Sequence, residues 1–218
     1  MVMPSLLHDP FAHWLVVAAG GAVGVGELVA TYLGRARDRQ HRARSRLRDS
    51  LLLFVRGRGA AIMRDRGTML SVALACYLSI TAALVIARVP GLRDYADNWW
   101  TLGSGVAIVL AGAALRDWAI LSLGRYFRRV VTIEPGQRIV RRGPYRVLRH
   151  PSYTGILLIL SGFGLSFGSW ASAGAALLIG FAGILPRIRV EESALARAFG
   201  SDYTEYANAT DRILPHIW

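Results

Sequence analysis

The sequence has no lysine and a single cysteine, and acidic residues are scarce. All 26 basic residues are arginine, against 14 aspartates and glutamates, for a net charge of +12. Arginine in place of every lysine reads as the codon usage of a GC-rich genome. Cys76 stands alone in an apolar run, which excludes an internal disulfide and a zinc site built on thiolates. No Ser/His/Asp or Cys/His set of the kind used in nucleophilic catalysis is recognisable. Gly24-Val25-Gly26 lacks the third glycine of a dinucleotide loop, follows no strand and lies inside an apolar block, so that reading is rejected. What is plentiful is apolar sequence: 53% of residues are hydrophobic and mean hydropathy is +0.36. Combined with so much segregated charge, that excludes an ordinary soluble domain.

The apolar sequence falls into blocks. Phe11–Gly34 is uncharged except for Glu27, Gly67–Ala87 carries no charge, and Trp99–Gly124 holds only Arg116 and Asp117. Each suits one bilayer crossing, which takes roughly 20 residues. Gly155–Pro186 is a run of 32 uncharged residues, too long for one crossing. Gly168-Ser169-Trp170 near its middle predicts a helical hairpin with short arms. The expected fold is an all-α integral membrane protein of about five transmembrane helices, including this C-terminal hairpin. Residues 1–66 form an N-terminal unit of one membrane helix and a cytoplasmic loop, and 67–218 form the core.

The arginines set the orientation. Segment 35–66 holds 11, segment 124–152 holds 8 and the tail 187–218 holds 4, whereas the opposite side offers Arg93 alone. By the positive-inside rule the basic side is cytoplasmic, with the N-terminus outside and the C-terminus inside. Met1–Pro10 has no arginine, which argues against a cleavable signal peptide. The pI near 11.1 is thus explained by topology. Nucleic acid is excluded as a partner because no stacking aromatics interleave the arginines. In the first loop arginine recurs at 35, 37, 39, 42, 44, 46 and 48 before the short apolar run 51–55, the pattern of a basic segment on anionic lipid. Gly20–Gly24 and Gly164–Gly168 have the small-xxx-small spacing that lets helices pack closely.

The chemistry-bearing sequence is cytoplasmic and follows residue 124. The β-branched run Val130–Ile133 leads to a turn at Glu134-Pro135-Gly136-Gln137. Gly143-Pro144-Tyr145 and Arg149-His150-Pro151-Ser152-Tyr153-Thr154-Gly155 then run into the fourth block. Pro151 suits the first turn of a helix, with His150 at its cap, and such a helix start can receive an anion. Residue types alone favour the plainer alternative, an interfacial helix cap with a belt of aromatics. Beyond the hairpin, Arg187-Ile188-Arg189-Val190-Glu191-Glu192 starts an exit helix that stops at Phe199-Gly200. Ser201 or Asp202 opens a further short helix carrying Tyr203 and Tyr206. Arg187 and Glu191, at i and i+4, share a face, either as a surface ion pair or as charges at the mouth of a lipid-facing cavity.

Gly143-Pro144-Tyr145, the run Arg149–Gly155, and Glu191-Glu192-x-x-Leu195 followed by Phe199-Gly200-x-x-Tyr203-x-x-Tyr206 together resemble the isoprenylcysteine carboxyl methyltransferase family, a relative of membrane phospholipid methyltransferases. The resemblance covers roughly residues 100–215; residues 1–66 resemble nothing recognised. It implies a membrane-embedded enzyme using S-adenosylmethionine, in a cytoplasmic cofactor-binding region outside any Rossmann fold. Carried over by position, Gln137, Arg138, Ile139, Val140, Tyr145, His150, Pro151, Ser152, Tyr153 and Glu191 would hold the cofactor, and Arg187 would orient the substrate carboxylate. No metal is implied. The residue types suit these roles: Glu191 for a cation, His150 and the helix start for a carboxylate, Tyr145 or Tyr153 for a π face, and Arg187 for a bidentate carboxylate contact.

The expected reaction is methyl ester formation on a lipophilic acceptor: an isoprenylcysteine-like, isoprenoid or fatty acid carboxylate. Rival readings are a phospholipid or amine N-methyltransferase, a thiol S-methyltransferase, and a basic membrane anchor without activity. The expected partners are membrane lipids and a lipophilic or lipidated substrate, and the expected location is a bacterial inner membrane. Glu27, Arg116 and Asp117 lie near cytoplasmic ends of their spans, where pairing and lining a cavity are both open.

Overall fold

The structure, a computed structural model, describes residues 68–89, 91–92, 99–127 and 137–215. The first apolar block, the arginine-rich segment, the Val130–Ile133 run and most of the turn after it lie outside the described residues. Among the described residues the fold is helical: α1 is Thr68–Ile86, α2 Trp99–Leu123, α3 Pro151–Ser166, α4 Trp170–Phe199 and α5 Ser201–Asn208. Short 3-10 turns at Gly124–Tyr126 and Gly143–Arg146 end α2 and precede α3. One isolated parallel bridge, Leu148 with Asp211, is the extended pairing found among these residues.

The 32-residue apolar run folds as the predicted hairpin. α3 ends at Ser166, and Gly168 takes φ +76°, a left-handed conformation that admits glycine most readily. Ser169 then caps α4 by accepting from the Ser172 N–H. Gly168 therefore makes the turn, not a helix contact, while Gly164 is a packing glycine: a Cβ there would meet Ala173 Cα at 2.6 Å. α4 does not stop at Pro186. It runs on as one 30-residue helix, so the hairpin arm and the exit helix are a single rod.

α2 packs chiefly on α3, and α1 on α4. The α2–α3 crossing is backbone on backbone: a Cβ on Gly112 would lie 2.7 Å from the Gly155 carbonyl oxygen, and one on Gly155 would lie 2.6 Å from that of Gly112. Without lipid-excluded area to gain, such close approach is what holds helices together in a bilayer. α1 and α4 are joined by serine hydroxyls that donate to carbonyls across the seam. Ser79 bonds Ala176 at 3.0 Å, Ser172 bonds Ala83 at 3.0 Å and Ser71 bonds Gly183 at 3.2 Å.

Apolar side chains face outward. Trp100 is 85% exposed and Leu70 73%, with Tyr77, Val85, Trp170 and Leu178 also more than half exposed. A soluble surface rarely carries so much apolar area. Among the described residues two helices, Trp99–Leu123 and Trp170–Phe199, are long and apolar enough to cross a membrane. α3 is a shorter apolar helix of 16 residues, as the hairpin expectation required, and the apolar part of α1, Leu70–Ile86, is also short. A core of Val72, Leu157, Ile184, Ile188 and Ile213 joins α1, α3, α4 and the C-terminal tail.

Candidate functional site

The site lies where α3 begins and where α4 passes beyond its apolar stretch, which ends at Pro186. Pro151 occupies the first helical position of α3 and His150 its N-cap, as the sequence led one to expect. His150 uses no side-chain cap bond, so its ring is available to α4. Directly after Pro186, Arg187 and, one turn on, Glu191 fall on the face that meets this helix start.

Arg187 is 2% exposed, so it is no surface ion pair. Its Nε donates to Glu191 Oε1 at 3.0 Å and to the Tyr153 hydroxyl at 3.1 Å, and Nη1 donates to Thr68 Oγ1 at 3.3 Å. Tyr153 in turn donates to Glu191 Oε1 at 2.6 Å. A buried guanidinium is tolerable only when paired in this way. The His150 ring, 5% exposed, stands between two carboxylates: Nδ1 is 3.6 Å from Glu191 and Nε2 is 3.4 Å from Glu192. It also stacks on Tyr153, with centroids 5.7 Å apart.

Glu192 belongs to a second layer. Arg149 Nε donates to it at 3.2 Å, and Arg212 Nε reaches both of its oxygens at 3.1 Å. Arg149 also donates through Nη1 to the carbonyls of Ala207 and Thr210. The chain after α5 returns as a strap along the α3 start. Arg149 N–H bonds Asp211 O at 2.7 Å, His150 N–H bonds Arg212 O at 3.0 Å, and the Thr154 hydroxyl bonds Ile213 O at 2.8 Å. Ile213, 1% exposed, anchors the strap in the core.

Burial acts against the charge on His150, but hydrogen bonding and attraction from Glu191 and Glu192 outweigh it and raise its pKa above 6.5. The Glu192 carboxyl, despite burial, is held down at about 2 by His150 and Arg212. Burial raises the Tyr145 phenol, which stays neutral. Three arginines, Arg149, Arg187 and Arg212, stand against the two carboxylates Glu191 and Glu192, a balance that favours anions.

Of the residues singled out in the sequence, Tyr153, Glu191 and Arg187 form one hydrogen-bonded cluster, with His150 stacked on Tyr153 and its Nδ1 3.6 Å from Glu191. Pro151 is buried beneath it. Tyr145 is buried beside it in the Gly143–Arg146 turn, and its carbonyl accepts from Tyr206 at 3.0 Å. Ser152 accepts from Arg116 Nη1 at 2.6 Å, which ties α2 to the helix start. Gln137 to Val140 form an irregular stretch leading into that turn, and Arg138, Ile139 and Val140 make none of the cluster's hydrogen bonds. Sequence reasoning missed Glu192, Arg149, Arg212, Thr68 and the bond from Arg116. The Glu191-Glu192 doublet, at the point where an apolar helix turns charged, was a usable signal for Glu192. Nothing in sequence marks Arg212, 20 residues from its partner.

A family model described as the isoprenylcysteine carboxyl methyltransferase (ICMT) family matches residues 105–197. Protein-S-isoprenylcysteine O-methyltransferase B of Arabidopsis thaliana is 32% identical over 148 residues, covering 66% of this chain and 74% of that protein. A probable protein-S-isoprenylcysteine O-methyltransferase of Oryza sativa subsp. indica is 31% identical over 159 residues, covering 72% and 80%. A solved structure of the eukaryotic intramembrane Ras methyltransferase ICMT superposes with a TM-score of 0.54 at 26% identity. That match covers 67% of this chain and 51% of the solved one.

Proposed function

The chain belongs to the isoprenylcysteine carboxyl methyltransferase family, a family of membrane methyltransferases, and from that premise we propose that it methylates the carboxylate of a lipid-borne acceptor using S-adenosylmethionine. The observation that carries this reading is the buried Arg187–Glu191–Tyr153 cluster, with His150, at the α3 start. The acceptor class is an isoprenylcysteine or a related isoprenoid or lipid carboxylate, the first being what its relatives' names state. The protein crosses the membrane several times, with the site on the basic, cytoplasmic side.

The residues present fit the proposed donor. Glu191 suits its ammonium or sulfonium, His150 and the α3 start suit its carboxylate, and the rings of Tyr145 and Tyr153 suit a cation or a flat base. Pro151, Ser152 and the stretch Gln137 to Val140 complete the proposed donor site. When bound, S-adenosylmethionine supplies an electrophilic methyl carbon on a sulfonium, released as a neutral thioether once an acceptor oxygen takes that carbon. An ionised acceptor carboxylate needs no general base, in keeping with a sequence in which no catalytic triad is recognisable. Arg187 orients that carboxylate, and its burial strengthens the attraction. The helices exclude water and hold the reactants in line, and such alignment supplies several kcal/mol of a typical barrier.

Calorimetric titration of S-adenosylmethionine into the detergent-purified full chain tests the reading. Binding in the wild type that is lost in Glu191→Gln supports the donor site. In Arg187→Gln, donor binding is retained while turnover on a prenylated carboxylate falls at least tenfold. A wild-type rate in that variant, if folded, overturns the carboxylate assignment. The product's lability in mild alkali marks a methyl ester, whereas an alkali-stable product would favour N- or S-methylation.

A further inference from the structure

The adjacent carboxylates Glu191 and Glu192 face different ways. Glu191 meets Arg187 and Tyr153, whereas Glu192 meets Arg149 and Arg212 and reaches the site through the His150 ring at 3.4 Å. Arg212 lies on the C-terminal strap, and that residue grips His150 twice. Its carbonyl accepts the His150 N–H at 3.0 Å, and its guanidinium holds Glu192, the ring's partner, at 3.1 Å. An imidazole otherwise turns about a soft terminal torsion. A carboxylate pinned by two arginines and bonded to one ring edge removes that freedom. We propose that Glu192 and Arg212 are positioning residues: with Arg149 they lock the His150 ring by its Nε2 edge, which fixes the Nδ1 edge against Glu191, 3.6 Å away, and so sets how the two groups together meet the methyl donor. This rests on the donor-site reading above. The strap thereby ties donor binding to the docking of residues 209–213, which lie outside the stretch that matches the family, 105–197.

The groups that face His150 are Glu191 and Glu192 from α4, Tyr153 from α3, Arg149 just before α3 and Arg212 from the strap. Arg187 stands behind Glu191. Loss of the Glu192 charge removes one of the two carboxylates that favour imidazolium, so His150 then releases its proton at lower pH.

Two readouts on the full chain in detergent test this. The first is a 15N-histidine NMR titration, with the His150 signal assigned by its loss in His150→Asn. The second is donor affinity by calorimetry between about pH 5.5 and 8.5, the range in which histidine titrates. In folded Glu192→Gln and Arg212→Gln, the His150 titration moves to lower pH and the donor dissociation constant at pH 7 rises about tenfold, the scale of a lost charge-assisted hydrogen bond. The acceptor KM at saturating donor stays unchanged, and Arg212→Lys recovers most of the affinity. In a His150→Asn background, Glu192→Gln adds less than about twofold, because the ring it positions is gone. Unmoved titration and affinity in both folded variants overturn the proposal, as does a full additive loss in the His150→Asn background. Unfolding of both variants overturns it as well, since the strap would then hold the fold and not the ring. A folded wild type that binds no donor defeats the donor-site reading instead, while the His150 titration still decides whether Glu192 governs the ring.

Discussion

From Trp170 to Pro186, helix α4 carries no charge and meets α1 through small residues and serine hydroxyls, whereas from Arg187 to Phe199 the same helix meets α3 and the strap through ions. In the first half, helices have no water to escape from, so affinity comes from close backbones and single hydroxyl donors. In the second, three arginines, His150 and two glutamates interlock within a few ångströms, so position and charge are set together. A rigid apolar half delivers the ionic half to the α3 start. The contrast predicts that substitutions in the apolar region act on folding alone, while those in the ionic region act on ligand affinity and pH response.

The largest effect is expected at the α2–α3 crossing. Gly112→Leu places a side chain where a Cβ alone would already sit 2.7 Å from the Gly155 carbonyl. Overpacking of this severity costs about 3 kcal/mol or more. Monodisperse protein should be lost from size-exclusion profiles of detergent extracts, and a normal profile would show that the crossing does not hold the fold.

A smaller effect, confined to the ionic half, is a pH optimum of stability. The His150 pKa is raised above 6.5, so its contribution is fully present below that value and fades as pH rises through the folded value. The Glu192 pKa is lowered from 4.5 to about 2, so its contribution is present above 4.5 and fades as pH falls toward 2. Thermal unfolding should therefore peak between about pH 5 and 6, the interval left between the two ordinary values. His150→Asn should flatten the alkaline side and leave the acid side in place. A flat profile in the wild type would remove the distinction between the halves.

The smallest effect lies on the apolar seam. Ser79→Ala deletes one buried hydroxyl bond to Ala176, 3.0 Å long, and should cost about 0.6 to 1 kcal/mol. Donor affinity and its pH dependence should not change, and a shift in either would show that the seam reports to the site.

Much of this was legible in sequence because hydropathy and punctuation are local. Gly168-Ser169-Trp170 marked the hairpin turn, Pro151 the α3 start and Gly200 the end of α4, each through its own backbone preference. Arg187 and Glu191 paired as their i, i+4 spacing required. The burial of Arg187 was not legible, since it depends on Thr68 arriving from 119 residues away. Nor were the helix-crossing glycines. Gly112 and Gly155 meet across two helices and share no local pattern, whereas the flagged Gly164–Gly168 pair divides between a packing contact and a turn.

The amino-acid sequence by itself determined that this chain is helical and apolar over long stretches, that its basic charge is segregated, and that a specific ordered set of motifs frames the hairpin. Those properties follow from composition, period and near-neighbour spacing, which act within a few residues. Only the tertiary structure decided that Glu191 and Glu192, adjacent in the chain, serve separate layers, and that residues 209–213 return to hold His150. Those outcomes depend on which distant groups share a low-dielectric space. There the cost of leaving a charge unpaired selects partners that no local pattern can name.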